Sequence, residues 1–305
     1  MFIKNKINLV KFLTKYIRDK YPNKYNFSTP NQKHSLESII DSILFILQTG
    51  MSFNQYGKLG IINKKTLYNH LNFFKKKEIF KFAYIELLNQ YFKKNKCRKL
   101  KFQLIDSSFI PNQYGIENIG RNKYYKNKQG YKLSLITDVY GIPFSILIEN
   151  GSKNDAKMID NHFNNLLIET NTNRYKDHNR YKQYFLADKM YDTKEFRKKI
   201  TDKGYSCIID YNKRNTKNIN KIKKLTKVQK QKYKKRLKIE NCFSWCFPLE
   251  NFAKAKRAKP AWRSHILIDD KLSKKNKRIK EINEKKMDAY ISFVYLALIK
   301  KIFIN

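Results

Sequence analysis

The apolar residues of this 305-residue chain change their spacing at Lys99. Before that point they recur with the 3.6-residue period of amphipathic helices, and after it they form short runs bounded by Gly, Pro, Asn or Asp. A period of 3.6 residues places apolar side chains on one face of a helix, whereas the side chains of a strand alternate between two faces. The two parts of the chain therefore need different architectures. We expect a helical domain at 1–98, an α/β domain at 99–257, and a basic loop with a C-terminal packing helix at 258–305.

Three helices are predicted within the first part. One follows Ser35, a plausible N-cap, and ends at Thr49-Gly50; a second starts after Asn63; a third spans about 79–92. The second helix would bury Leu67, Leu71 and Phe74 and expose a basic face that includes Lys64 and Lys65. A helix-turn-helix DNA reader and an ordinary three-helix bundle both fit this pattern.

The second part has five strand-like runs, with helical patterns at roughly 155–170 and 193–203. The runs are KFQLIDSSFI, YKLSLITDVY, PFSILIENG, QYFLADKMYD and YSCIIDY. The order strand, strand, strand, helix, strand, helix, strand predicts a mixed α/β sheet flanked by helices.

The charge of the chain is strongly positive, with 66 Lys and Arg against 25 Asp and Glu and a formal net charge of +41. Such a surplus repels itself unless a polyanion is near, which favours nucleic acid as the partner. Codon bias is the alternative, because Lys, Asn and Ile share AT-rich codons. An AT-rich genome supplies Asp and Glu codons almost as readily, however, so bias alone does not explain the positive sign of the charge. The densest basic segment, 211–239, has thirteen Lys or Arg and no acid, and a second lies at 271–280.

Membrane and secreted classes are not predicted. Charges interrupt the apolar positions of the N-terminus, and the apolar run at 289–299 is shorter than the ~20 residues that span a bilayer. Four scattered cysteines indicate a reducing, intracellular compartment. Neither they nor the five histidines form a ligand motif, so no zinc site is predicted.

Three carboxylates stand out in a chain so poor in acids. Asp106 and Asp188 each end an apolar run, and we expect both at strand ends. Glu240 follows Tyr233 and Arg236 at i, i+3 and i+7, which is one face of a helix. The alternatives are turn-initiating aspartates and an ordinary salt bridge between Arg236 and Glu240.

These residues resemble the DDE transposases of bacterial-type insertion sequences. Asp106 lies in LIDSS, Asp188 in FLADKMYD, and Glu240 in the spacing Y-x2-R-x3-E. Residues 120–157 are similar to that family's glycine-arginine start, Lys-containing strand, Asp-x-x-Gly-x-Pro hairpin and Asp-containing turn. The resemblance covers roughly residues 35–257.

The resemblance implies an RNase H-like core with Asp106, Asp188 and Glu240 as catalytic residues and ligands of two Mg²⁺ ions, which Mn²⁺ could replace. It implies cleavage of transposon DNA ends and strand transfer into double-stranded target DNA, with a homodimer on the DNA. Tyr233 and Arg236 would contact phosphates of the transposon end. The remaining predicted DNA contacts are Lys64, Lys65, Lys234, Lys235, Lys254 and Arg257.

The chain departs from the family pattern at three positions. Phe247 replaces a Lys, Met190 stands where Gly is common, and Pro248 ends the helix early. None of these removes a predicted metal ligand. A catalytically inactive, transposase-derived DNA-binding protein is the alternative function, and a structural RNA-binding protein fits the placement of the acids less well.

Overall fold

A computed structural model describes residues 2–25, 33–49, 52–93, 96–112, 118–170, 182–212, 224–246 and 287–304 of the chain. The chain divides into two compact units, one formed by Met1–Leu87 with Ser244–Asn305 and the other by Leu88–Phe243.

The helices are numbered here in chain order. They are α1 (Phe2–Lys20), α2 (Pro22–Tyr25), α3 (Leu36–Thr49), α4 (Phe53–Gly57), α5 (Lys64–Lys76), α6 (Ile79–Lys93), α7 (Lys96–Lys99), α8 (Ile159–Asn164), α9 (Lys194–Asp202), α10 (Lys227–Tyr233), α11 (Lys238–Cys246) and α12 (Met287–Ile304). The 3₁₀ helices are η1 (Lys123–Tyr125), η2 (Ala156–Met158), η3 (Lys189–Tyr191) and η4 (Lys234–Leu237).

The first unit is helical, as predicted. The Ser35 hydroxyl accepts the Ser38 amide at 3.1 Å, so the predicted cap is present. The Asn63 side chain accepts the Lys65 amide at 2.8 Å and caps the helix predicted to start after it. The α5 side chains Leu67, Leu71 and Phe74 are buried. The C-terminal apolar run forms α12, which contacts α1, α3 and α5. Among the described helices, none has the length and apolarity to span a bilayer.

The second unit is built on one six-stranded mixed sheet. Its strands are β1 (Phe102–Pro111), β2 (Gly120–Asn122), β3 (Lys128–Thr137), β4 (Pro143–Asn150), β5 (Tyr184–Ala187) and β6 (Ser206–Ile209). The strand β3 pairs antiparallel with β1, β2 and β4, whereas β1–β5 and β5–β6 are parallel. The predicted RNase H-like mixed sheet, flanked by helices and preceded by a helical region, is confirmed.

The hairpin between β3 and β4 is closed by Asp138. Its Oδ1 accepts the amides of Tyr140 and Ile142, both at 2.9 Å, and the Tyr91 hydroxyl donates to its Oδ2 at 2.7 Å. Gly141 has φ 85, a left-handed conformation that glycine adopts without strain. Together these bonds explain why the strand pattern predicted at 131–140 ends at Thr137.

Two sequence predictions were too long. The run predicted as a strand at 183–192 is β5 only up to Ala187, after which η3 begins. The helical pattern at 155–170 becomes η2 and the short helix α8, which ends at Asn164. The strand β5 ends at its last ladder pair, Ala187 with Ile209, and α8 ends where the Asn165 amide donates to the main-chain oxygens of Asn161 and His162.

Candidate active site

Strand register brings Asp106 and Asp188 together. Leu104 of β1 pairs with Leu186 of β5 in a parallel ladder, so the residues two positions further along each strand direction lie side by side. Asp188 directly follows β5, as predicted. Asp106 is the fifth residue of the ten-residue β1, so its predicted place at a strand end is wrong. The strand continues because Ser107–Pro111 still pair with β3.

The Arg236 guanidinium lies between the two aspartates. Its Nη1 is 3.4 Å from Asp106 Oδ2, and its Nη2 is 3.8 Å from Asp188 Oδ1. Both distances exceed the 2.7–2.9 Å of a strong charge-assisted hydrogen bond. The Arg236 side chain is 15% exposed, and its buried Nε has no hydrogen-bond partner among the described residues. The Arg236 guanidinium therefore neutralises both carboxylates without a strong hydrogen bond to either.

Burial raises the pKa of Asp106 to about 6. The Ser107 amide, which donates to Asp106 Oδ1 at 2.9 Å, and the positive charge of Arg236 both lower that pKa. The negative charges of Asp188 and Asp155 raise it. A cation beside Asp106 thus stabilises its ionised form.

The Asp188 carboxylate is not used to cap the turn that follows. Asp188 is the N-cap residue of η3, but its side chain makes no capping hydrogen bond. The Tyr191 amide instead donates to the Asp188 main-chain oxygen at 2.9 Å. The side chain is 31% exposed and faces Arg236, so it is accessible to a ligand.

Tyr233 lies beside Arg236, as its spacing predicted. The Arg236 Cζ is 5.7 Å from the centre of the Tyr233 ring. Burial raises the pKa of Tyr233, Arg236 lowers it, and Asp188 raises it. The structure therefore gathers Tyr233, Arg236, Asp106 and Asp188 at one place on the sheet.

Helix α10 and the η4 segment pack on this face of the sheet through cations over rings. Lys232 Nζ lies 3.9 Å from the centre of the Tyr184 ring and donates to the Tyr184 hydroxyl at 2.7 Å. Lys235 Nζ lies 5.2 Å from the Phe102 ring, which stacks on Tyr184 with centroids 5.3 Å apart. Lys234 and Lys235 are exposed.

The predicted shared face of Tyr233, Arg236 and Glu240 assumes one continuous α-helix, which the structure does not show. The 3₁₀ helix η4 separates α10 from α11. A 3₁₀ helix advances about 120° per residue and an α-helix about 100°, so four residues displace the following turn by about 80°. Glu240 is exposed, and in the part of the chain that the structure describes no ion pair joins it to Arg236.

The described residues contain no group of three or more His, Cys, Asp or Glu side chains able to hold a metal ion. Glu240 is therefore not gathered with Asp106 and Asp188. The two aspartates supply oxygen donors of the kind that Mg²⁺ prefers, and an arginine side chain now neutralises them.

A second polar cluster lies on the opposite face of β1, and the sequence pattern did not reveal it. The Ser107 hydroxyl donates to Asp155 Oδ1 at 2.5 Å, and Lys132 Nζ is 2.8 Å from the same oxygen. Behind them, His162 bonds to Ser134 and Ser145, both at 2.8 Å. The only sequence signal for this cluster was the Asp-containing turn within residues 120–157.

The other predicted DNA contacts are distributed along the chain. Lys64 and Lys65 are exposed at the start of α5, where Lys64 Nζ donates to Asn54 Oδ1 at 2.9 Å. Lys254, Arg257, Phe247, Pro248 and the basic stretch 271–280 lie outside the described residues, as do residues 213–223 of the densest basic segment.

Comparison with known proteins identifies the second unit. Residues 98–247 match the family model of the transposase DDE domain. Neither the curated proteins nor the solved structures compared with the chain include a significant match. The matched residues contain the mixed sheet, both aspartates, Arg236 and Glu240. Residues 98–247 therefore belong to the transposase DDE domain family.

Proposed function

We propose that the chain is a transposase that cleaves the ends of its own DNA element and transfers them to target DNA, using two Mg²⁺ ions. The observation that supports this most strongly is the convergence of Asp106 and Asp188 on one cation within a transposase DDE domain. Two carboxylates that share a half-buried site require a counter-charge, and a divalent ion would supply it.

Asp106 and Asp188 supply carboxylate oxygens of the kind that such ions prefer, and they would hold the ions from the sheet. Glu240, which is not gathered with them in the structure, would complete the set from α11. Bound ions would activate the attacking water or 3′-hydroxyl and stabilise the leaving oxygen. We propose that α11 moves when DNA and metal are bound, because Glu240 is exposed and is not gathered with the aspartates.

The protein groups around the aspartates would bind and orient the DNA. Arg236 offers a planar fork that matches phosphate oxygens, and Tyr233 beside it offers a ring and a hydroxyl. Lys234 and Lys235 would extend the phosphate contacts, with Lys64 and Lys65 on the helical unit and Lys254 and Arg257 beyond α11. We place the protein inside the cell, on DNA.

Two DNA ends must be joined to one target, so we propose a homodimer on DNA. Native mass spectrometry of the complex with end DNA should show two chains. A complex that cleaves and transfers ends with a single chain would contradict this part of the proposal.

The experiment is cleavage of the DNA that flanks the gene by the purified chain with Mg²⁺ or Mn²⁺. The variant Asp188→Asn should lose at least about a hundredfold in rate, because one of the two sheet ligands becomes neutral. The matched control is Asp202→Asn, which removes an exposed carboxylate at the end of α9. Equal cleavage by Asp188→Asn and the wild type would overturn the proposal.

A second function is favoured by one observation, the separation of Glu240 from the aspartates. A transposase-derived protein that binds DNA without cutting it needs the fold and the charge but not a complete carboxylate set. It would bind DNA with strong salt dependence and leave both strands intact at every metal concentration. Cleavage that Asp188→Asn abolishes would exclude this second function.

A further inference from the structure

The function proposed above assigns no role to the cluster formed by Ser107, Lys132 and Asp155. It lies on the face of β1 opposite to Asp106, because consecutive residues of a strand point to opposite faces. Register supports this placement, since Ser107 pairs with Ser134 and Phe109 with Lys132 across β1 and β3. The cluster therefore stands directly behind the carboxylate that would hold metal.

The Asp155 side chain bonds within this cluster and does not cap the 3₁₀ helix that follows it. It is the N-cap residue of η2, but its side chain makes no capping hydrogen bond. Its Oδ1 accepts the Ser107 hydroxyl at 2.5 Å and pairs with Lys132 Nζ at 2.8 Å. The Lys132 ammonium also donates to the Lys153 main-chain oxygen at 2.6 Å, which ties the loop to β3.

The Lys132–Asp155 pair is well placed to be rigid. Lys132 is 10% exposed and Asp155 28% exposed, so water competes weakly for either charge. The Lys132 ammonium binds the loop at two points, and Asp155 binds β1 and β3 at once. Ion pairs with several fixed partners lose less by side-chain ordering than isolated surface pairs.

Ser107 connects this cluster to Asp106. Its hydroxyl is held by Asp155, and its own amide donates to Asp106 Oδ1 at 2.9 Å. Fixing the Ser107 side chain fixes the orientation of its peptide group, and the peptide group in turn fixes the Asp106 carboxylate. A carboxylate with one oxygen held in this way presents its other oxygen in a defined direction.

We propose that Asp155 is a positioning residue for Asp106, acting through Ser107 and held in place by Lys132. The inference rests on the proposed function, because Asp106 needs a defined orientation only if it binds metal. Groups that orient a metal ligand typically change metal affinity by about 10- to 100-fold when removed.

The test measures Mn²⁺ binding to the full chain without DNA, by electron paramagnetic resonance of the free ion. Asp155→Ala and Ser107→Ala should each weaken binding about tenfold, and Ser107→Thr, which keeps the hydroxyl, should stay close to the wild type. The double variant should be no weaker than Asp155→Ala, because both changes break the same chain of contacts. Single effects that multiply in the double variant would contradict a common route.

The control for charge is Asp160→Asn, because Asp160 is an exposed carboxylate that pairs with Lys199 at 2.7 Å. It should bind Mn²⁺ like the wild type. Urea unfolding of every variant separates positioning from stability: a purely structural role lowers the free energy of unfolding and leaves Mn²⁺ affinity unchanged, which would overturn the inference. If Asp155→Ala does not fold, Asp155→Asn and Ser107→Ala carry the test.

Asp188→Asn separates failure of the positioning role from failure of the proposed function. If the wild type and Asp188→Asn bind Mn²⁺ equally, the proposed metal site is absent and the proposed function fails with it. If binding depends on Asp188 but not on Asp155 or Ser107, only the positioning role fails.

Discussion

At the scale of single residues, the main finding is that Arg236 neutralises Asp106 and Asp188. The sequence comparison implied that Arg236 contacts DNA phosphates, whereas the structure places it against the two predicted metal ligands. Arg236 cannot contact a DNA phosphate and pair with both aspartates at the same time. If the proposed function holds, Arg236 would compete with a divalent ion until a DNA phosphate binds the guanidinium.

Replacing Arg236 by Gln should strengthen Mn²⁺ binding in the absence of DNA. The change removes the competing cation and keeps a polar side chain of similar length, so we expect about a tenfold gain, equivalent to about 1.4 kcal/mol. The measurement is a Mn²⁺ titration, with Lys238→Gln as the control for loss of a nearby exposed charge. Unchanged affinity in Arg236→Gln would show that Arg236 does not compete with metal.

His162 should make the fold sensitive to acid. Burial lowers its pKa from 6.5 to about 3, and its two ring nitrogens bond to Ser134 and Ser145. The folded pKa lies below the unfolded one, so this contribution to stability is complete above about pH 6.5. It is lost as the pH falls toward 3, at about 1.4 kcal/mol per pH unit.

The variant His162→Gln tests this contribution, because Gln can bond to both serines and does not titrate. The advantage in unfolding free energy of the wild type over the variant should shrink by about 2 kcal/mol between pH 7 and pH 5. Taking the difference removes the effect of Asp106 and Asp138, which titrate in both proteins. An advantage that is constant with pH would exclude a neutral buried His162.

At the scale of elements, η4 decides which side chains reach the aspartates. A 3₁₀ segment between two α-helices is often a hinge, because its hydrogen bonds are poorer than those of an α-helix. Here it directs Arg236 inward and leaves Glu240 exposed. Rewinding η4 as an α-helix would turn α11 by about 80° and bring Glu240 to another position.

Glu240→Gln should therefore have different effects with and without DNA. Without DNA, Mn²⁺ affinity should equal that of the wild type, because Glu240 is exposed and is not gathered with the aspartates. With end DNA, cleavage should fall at least about a hundredfold if α11 brings Glu240 to the metal. Asp188→Asn should lose both Mn²⁺ binding and cleavage of end DNA. Weaker Mn²⁺ binding by Glu240→Gln without DNA would contradict a hinge at η4.

Helices α3, α5 and α6 and the long strands could be predicted because their signals are local. The Ser35 cap and a 3.6-residue period place α3 to within a residue, and the start of α5 is where the sequence predicted it. The three-residue β2 has no such pattern, since it exists only by pairing with β3. The Asp155–Ser107 bond joins residues 48 positions apart, and no local pattern encodes a contact of that range.

Asp106, Asp188 and Arg236 were found in the sequence because their residue types and spacing match a family. The contacts among these three residues could not be predicted, because the pairing of Arg236 with Asp106 depends on where α10 and η4 pack on the sheet. Lys232 over Tyr184 and Lys235 over Phe102 set that packing. Such cation–ring contacts leave no periodic signal.

At the scale of the whole molecule, the net charge of +41 is the dominant property. It carries the non-specific part of DNA affinity through release of counterions. Codon bias is the alternative source of the Lys content, so the individual lysines that contact phosphate must be found by substitution. Lys234 and Lys235 are the best candidates in the described structure, because both are exposed next to Arg236.

Replacing Lys234 and Lys235 by Ala should lower the slope of log affinity against log salt by about 2, roughly 0.9 for each phosphate that the protein no longer neutralises. The measurement is binding of end DNA between about 50 and 200 mM salt. The matched control replaces Lys194 and Lys198, which lie on α9. An equal reduction in both double variants would attribute the slope to total charge and not to this surface.

The central claim is that Asp188 holds a divalent ion during DNA cleavage, and the variant Asp188→Cys tests it most directly. A thiolate is a poor ligand for Mg²⁺ and a better one for Mn²⁺. We predict that Asp188→Cys cleaves end DNA at least about a hundredfold more slowly than the wild type in Mg²⁺ and recovers much of that loss in Mn²⁺. Cleavage by Asp188→Cys that matches the wild type in Mg²⁺ would contradict the claim.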